Sequence, residues 1–190
     1  NYTGAVTDHD ALVRLHGRIQ AGVDNGWGEL ILDGRLRHTP AELADQTTPY
    51  FLKPTIFKNV KVDSPLFQEE YFGPILNIVR VKTKEEATKV ANATRFALTG
   101  GVITRSPSLR RYFAKTLKTG NLYFDRAITG SIVGRQPFGG FYLSGVGAKA
   151  GGHDYLWQFV WFVPKDKGPE EEPEPFHGLE KIVYRVEGKV

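Results

Sequence analysis

Apolar positions first recur at helical spacing near the start of the chain, where Leu12, Leu15, His16 and Ile19 share one face. Thr7 precedes them with Asp10 placed to return a capping bond, so a helix is predicted to start there. Gly22 and the Gly26-Trp27-Gly28 stretch predict its end. A short apolar strand over residues 29–32 then runs into an Asp33-Gly34 turn. Residues 35–49 are polar and turn-rich. Strands are expected over 50–52 and 56–62, with Pro54 between them because proline cannot donate to a ladder.

The middle of the chain alternates more regularly. Residues 75–81 read as a strand, and the Thr83-Lys84-Glu85-Glu86 capping box starts a helix running to about Thr94. Its buried side is expected to carry Ala87, Val90 and Ala91, small enough for close approach to a sheet. A strand follows over 98–104, and Ser106-Pro107 opens a second helix, since proline at the first helical position lacks only a donor left unpaired there anyway. Leu109, Tyr112, Phe113, Thr116 and Leu117 fall on its inner face; Arg110, Arg111, Lys115 and Lys118 fall on the wet one. Gly120 is the expected stop, and residues 121–124 form a third strand. Strand, helix, strand, helix, strand predicts an α/β fold with a parallel sheet and crossover helices.

From Gly134 to Gly152 glycines crowd too densely for helix or sheet interior, which implies close backbone approach or turns of positive φ. Residues 157–163 read as a strand with apolar residues on both faces, one that requires cover from a sheet or a partner. Residues 164–175, with four glutamates and four prolines, predict a solvated linker, and 181–186 a final strand.

The 190 residues are 41% hydrophobic, enough for a buried core and against general disorder. The sequence holds neither an apolar run of bilayer length nor the layout of a signal peptide. With no methionine in the sequence, residue 1 is expected to be a processed end or the start of a fragment. The net charge of +4 is scattered rather than striped, which argues for ordinary surface over a nucleic-acid interface. The absence of cysteine changes the chemistry most, because this chain supplies no thiol nucleophile, disulfide or thiolate ligand.

Several candidate motifs carry little. Residues 145–151 have glycines wrongly spaced for a dinucleotide fingerprint, and alanine follows Lys149 where a phosphate loop needs a hydroxyl. His9 and His16 are seven apart, too far for a paired metal site, and are expected at the surface or as caps. Ser144 is not in the elbow of a hydrolase. The segment Glu69-Glu70-Tyr71-Phe72-Gly73-Pro74 offers more. Adjacent side chains of extended chain point opposite ways, so at most one of the two carboxylates faces a given cleft. That one could accept two hydrogen bonds from a sugar diol while an aromatic lies along a flat ring. A charged turn before a strand is the simpler reading of the spacing alone.

These segments also carry a resemblance. Pro54-Thr55-Ile56-Phe57, residues 68–74 and 96–102, Gly120-Asn121-Leu122-Tyr123, residues 128–140, Leu143-Ser144-Gly145 and residues 150–156 resemble the C-terminal part of NAD(P)-dependent aldehyde dehydrogenases. Within that superfamily the 128–140 stretch is most similar to the branch that oxidises L-glutamate γ-semialdehyde (1-pyrroline-5-carboxylate) to glutamate. The likeness covers about residues 1–163.

The resemblance implies a role for particular residues. Glu70 matches the glutamate that holds the nicotinamide ribose hydroxyls of NAD, and Phe72 the aromatic beside that ribose. Gly130 and Ser131 match an anchor loop whose backbone donors grip the substrate α-carboxylate, as paired N–H groups in a tight turn do. Phe138 matches an aromatic flanking the aliphatic part of the substrate. Residues 1–156 would then be a partial catalytic domain, 157–163 an oligomerisation-flap strand pairing with a neighbouring subunit, and 164–190 an added tail.

By the same resemblance, the cysteine nucleophile, the general-base glutamate, the oxyanion-hole asparagine and the dinucleotide-binding domain lie upstream of Asn1. Three readings follow: a piece of a complete dehydrogenase, a non-catalytic structural subunit of a larger assembly, or an independent ligand-binding module. The first two require a partner polypeptide or neighbouring subunits, without nucleic acid and without a membrane span. The expected compartment is the mitochondrial matrix or bacterial cytoplasm, or a mitochondrial membrane-associated complex for an accessory subunit. NAD and NADP are not distinguished by these residues.

Overall fold

The computed structural model describes residues 4–35 and 39–160. They form two compact units that divide between Arg95 and Phe96.

In the first unit, helix α1 (His9–Asp24) starts at Asp8, whose carboxylate accepts from Ala11 N at 2.7 Å. The cap is thus Asp8 rather than the expected Thr7 and Asp10 pair, because an N-cap oxygen must reach an amide three residues on. Leu12, Leu15 and Ile19 are fully buried, and each such side chain contributes about 2 kcal/mol to folding. His16 is also buried, not at the surface as expected, since it shares their face. Gly22 lies on this face too: a Cβ there would stand 3.0 Å from Leu66 Cδ1 and 3.1 Å from Phe57 Cζ.

The helix packs on a three-stranded sheet of order β1-β2-β3, made of β1 (Glu29–Leu32), β2 (Thr55–Lys58) and β3 (Ile75–Ile78). The β1–β2 pair is antiparallel and the β2–β3 pair parallel. Strand β2 is shorter than the expected 56–62 because Asn59 takes φ +52 and turns the chain out of the ladder. With β2 ended, β3 has no partner beyond Ile78, which shortens the strand expected over 75–81. Residues 50–52 form no strand; Phe51 N turns back to Pro49 O at 2.8 Å, and Leu52 enters the core with Val60 and Tyr71.

Three shorter helices complete the unit. Helix α2 (Pro40–Ala44) carries a full capping box between Thr39 and Glu42, and α3 (Pro65–Gln68) follows Ser64; neither was anticipated. Helix α4 (Lys84–Ala91) begins as expected, with Thr83 accepting from Glu86 N, but stops at Asn92. Ala87 and Val90 are half-buried and Ala91 is exposed, so its inner face is shallower than predicted.

In the second unit, the strand expected over 98–104 is divided into β4 (Phe96–Ala97) and β5 (Thr99–Val102). Helix α5 (Pro107–Thr116) is capped by Ser106 and shows the predicted faces, with Leu109, Tyr112, Phe113, Thr116 and Leu117 half-buried and the four cations exposed. It returns the chain to β6 (Asn121–Phe124), parallel to β5 over four residues. This βαβ connection confirms the α/β expectation, although β3 belongs to the other sheet. Strand β7 (Phe141–Tyr142) pairs antiparallel with β4. Gly120 is required by close approach: any Cβ would lie 1.8 Å from Gly139 O.

The strand expected over 157–163 is not formed at its start. Residues His153–Phe159 make a 3-10 helix instead, followed by extended Val160. No described strand lies beside them to supply ladder bonds, so Val160 N turns back to Trp157 O at 3.4 Å. Residues 161–163, the expected linker over 164–175 and the strand over 181–186 lie outside the described residues.

Candidate functional site

Glu70 and Phe72 sit in the loop that joins α3 to β3, and helix α1 holds that loop from one side. Arg14 Nη1 donates to Tyr71 O at 3.2 Å, and Arg18 Nη2 lies 3.0 Å from Glu69 Oε2. The Arg18 guanidinium also lies over the Tyr71 ring, 5.7 Å from its centroid. Tyr71 is buried, and burial, followed by the charge of Glu69, pushes its phenol above the usual 10.0, while Arg18 acts against them. Gly73 fits tightly against Leu15, where a Cβ would stand 2.7 Å from both terminal methyls.

With its neighbours pinned in this way, Phe72 is held at φ +48 and is 80% exposed. An aromatic in the left-handed region is a backbone outlier costing on the order of 1–3 kcal/mol. The fold therefore presents this ring rather than burying it. Glu70 is exposed and makes no hydrogen bond or ion pair among the described residues, whereas Glu69 is paired. A carboxylate with open lone pairs can accept from both hydroxyls of a diol, and a presented ring face suits a flat heterocycle. A shallow groove of about 290 Å³, lined by Pro54, Ile56, Gly73 and Leu76 among others, opens at the same loop.

The other expected residues lie in the second unit, Gly130 and Ser131 in the chain that follows β6 and Phe138 beside Asn121, the strand's first residue. Asp125 takes φ +52 and turns the chain out of that strand, its carboxylate accepting from Thr104 N at 2.8 Å and pairing with Arg110. Gly130 has φ +89, and the N–H groups of Gly130 and Ser131 reach no acceptor among the described residues. Ser131 Oγ is 2.8 Å from the hydroxyl of Tyr123 on β6. Arg126 crosses beneath the turn, its guanidinium 5.3 Å from the Tyr123 ring centroid and 3.5 Å from Thr129 O. The turn thus combines open donors with a nearby cation, an arrangement that receives an anion.

Phe138 is placed by its neighbours. Its backbone exchanges two bonds of 2.9 Å with Ala150, and Asn121 Nδ2 donates to Pro137 O at 2.9 Å while Asn121 Oδ1 accepts from Gly139 N at 3.3 Å. Asn121, Tyr123 and Arg126 were missed as supporting residues. Asn121 and Tyr123 stood in the Gly120-Asn121-Leu122-Tyr123 motif without a role assigned, and the signal for Arg126 was its place just past the carboxyl end of β6, where α/β folds put ligands. Ser144 has a structural role, its hydroxyl accepting from Ala97 N at 3.1 Å.

Parallel strand pairs linked by helices, with donor-rich loops beyond the strand ends, define an α/β protein of the kind that binds its ligands in loops. The chain matches the aldehyde dehydrogenase family over residues 1–162, and it belongs to that family. It is 41% identical over 155 residues to 1-pyrroline-5-carboxylate dehydrogenase of Bacillus pumilus, covering 82% of this chain and 28% of that protein. Likeness to 1-pyrroline-5-carboxylate dehydrogenase 2 of Bacillus subtilis is 40% over the same lengths. Among solved structures, the Thermus 1-pyrroline-5-carboxylate dehydrogenase with bound NAD matches at TM-score 0.67 and 40% identity, over 80% of this chain and 27% of that one. Proline utilization A from Bdellovibrio bacteriovorus matches at TM-score 0.72 and 42% identity, over 83% and 15%. The chain therefore spans about 28% of the length of the curated relatives it matches.

Proposed function

We propose that this chain is part of an NAD-dependent dehydrogenase that oxidises L-glutamate γ-semialdehyde to glutamate. Its contribution is to supply residues to the cofactor site and residues to the substrate site. Glu70 holds the nicotinamide ribose hydroxyls and Phe72 lies beside them. Gly130 and Ser131 receive the substrate α-carboxylate through their N–H groups, and Phe138 flanks its aliphatic carbons. NAD bound there would supply the hydride acceptor for oxidation of the aldehyde. With no cysteine in its sequence, the chain leaves the nucleophile to another part of the complete enzyme.

The observation that carries this reading is the turn at Gly130-Ser131, with open donors, positive φ and Arg126 at hand. The identities of 37–41% to eight bacterial 1-pyrroline-5-carboxylate dehydrogenases support the substrate class, and they favour the bacterial cytoplasm as the compartment. Exposed apolar side chains in the second unit, among them Val133, Leu143, Val146, Leu156 and Trp157, support a partner polypeptide or neighbouring subunits, with residues 157–163 as the oligomerisation segment. One feature favours the alternative of a non-catalytic structural subunit: residues 163–190 fall outside the family match.

The test is NADH formation from L-glutamate γ-semialdehyde by the full-length protein that carries this segment. Turnover there, and none by the 190-residue chain alone, is the expected result. A full-length protein that binds its partners yet gives no turnover would favour the structural subunit instead.

A further inference from the structure

We infer that Tyr123 is a specificity-determining positioning residue, which sets the hydroxyl of Ser131 as a donor toward a substrate carboxylate. The inference rests on the anchor role proposed above for the Gly130-Ser131 turn. It concerns a residue on the strand beneath that turn. Tyr123 is 6% exposed and lies in β6, in register with Gly101 of β5, so its ring has little freedom. Arg126 lies over the ring at 5.3 Å and also reaches Thr129 O, which ties the ring to the loop it supports. The phenol oxygen is 2.8 Å from Ser131 Oγ.

The polarity of this bond follows from the two hydroxyls. Each has one hydrogen and two lone pairs, and a phenol is the stronger donor. Tyr123 therefore donates and Ser131 accepts, which leaves the Ser131 hydrogen for a second acceptor. Together with the open N–H groups of Gly130 and Ser131, this makes three donors in one turn. Without the phenol hydroxyl, the serine rotates freely and can offer a lone pair, which repels a carboxylate. Tyr123 thus acts on discrimination between aldehydes that carry a carboxylate and those that do not.

The experiment compares kcat/KM for L-glutamate γ-semialdehyde with kcat/KM for pentanal in the full-length protein. Tyr123→Phe keeps the ring and its contact with Arg126 and removes one oxygen. It is expected to lower the ratio of the two constants about fivefold, mainly through KM for the semialdehyde, as suits the loss of one hydrogen bond. Ser131→Ala should lower the ratio at least as far, and adding Tyr123→Phe to it should change nothing more, because both ends of one bond are then gone. A purely structural role would slow both aldehydes alike. An unchanged ratio in Tyr123→Phe, or additive losses in the double variant, overturns the inference and leaves the proposed activity standing. A wild-type protein with no preference for the semialdehyde overturns the anchor reading itself. Should Tyr123→Phe not fold, an unchanged ratio in Ser131→Ala alone is enough to reject the inference.

Discussion

Arg18 Nη2 stands 3.0 Å from the carboxylate of Glu69, and this contact separates the roles of two acids that are adjacent in sequence. Glu69 is drawn to helix α1, while Glu70 is left exposed and without a protein partner among the described residues.

Glu70→Gln in the full-length protein is therefore expected to raise KM for NAD about tenfold, since hydrogen bonds to a charged acceptor are the stronger ones. Its stability should not change. Glu69→Gln should do the reverse, leaving KM for NAD near wild type. Its loss in stability should be about 0.5 kcal/mol or less, because both partners of the ion pair are partly exposed. Steady-state kinetics and denaturant titration of both variants check the pair.

Two glycines of α1 should respond oppositely to alanine. Gly17 is exposed, with open space where a Cβ would go, so Gly17→Ala is expected to stabilise the protein by about 1 kcal/mol through helix propensity. At Gly22 the same methyl meets Leu66 and Phe57, both packed in the core. The cost of overpacking exceeds the gain in propensity, for a net loss of about 1 kcal/mol. Denaturation midpoints of the two variants give the comparison.

Tyr71 has a buried hydroxyl with no partner among the described residues. Tyr71→Phe removes a desolvated polar group and is expected to be neutral or to stabilise by up to about 1 kcal/mol at neutral pH. Because its folded-state pKa is raised, the neutral phenol favours folding below pH 10.0, and that contribution is lost as pH rises through the higher folded value. The wild type should lose stability on this account in the alkaline range, and Tyr71→Phe should not. Unfolding curves from neutral to alkaline pH measure the difference.

Asp33 shows the opposite linkage. Its carboxylate accepts from Arg35 N and Nε at 2.9 Å and from Nη2 at 2.6 Å, and these bonds hold it below the usual 3.8. The stabilisation is present above about pH 3.8 and is lost as pH falls through the lower folded value. Asp33→Asn should cost about 1 kcal/mol at neutral pH and progressively less in acid. Convergence of the wild-type and variant stabilities at low pH is the expected outcome; a constant gap would contradict it.

Much of the local structure could be read from the residues in order. The strands at 29–32 and 121–124 have the predicted bounds, and the starts at Thr83 and Ser106-Pro107 are where capping placed them. These features depend on atoms within about four residues of one another. The Thr39-Pro40 and Ser64-Pro65 starts of α2 and α3 were equally available as signals, but turn-rich composition and short length concealed them.

The alternation of helix and strand, the wet and dry faces of α5, the lack of a thiol and the motifs of the family are all legible in the order of the residues. Which glutamate stays open, which sheet receives β3 and the meeting of Tyr123 with Ser131 emerge from folding alone. Each of these depends on distance through space. Arg18 and Glu69 lie 51 positions apart along the chain, yet their charged groups are 3.0 Å apart once α1 packs on the sheet. Periodicity reports which side of an element is apolar, and packing then selects the neighbour that side will meet.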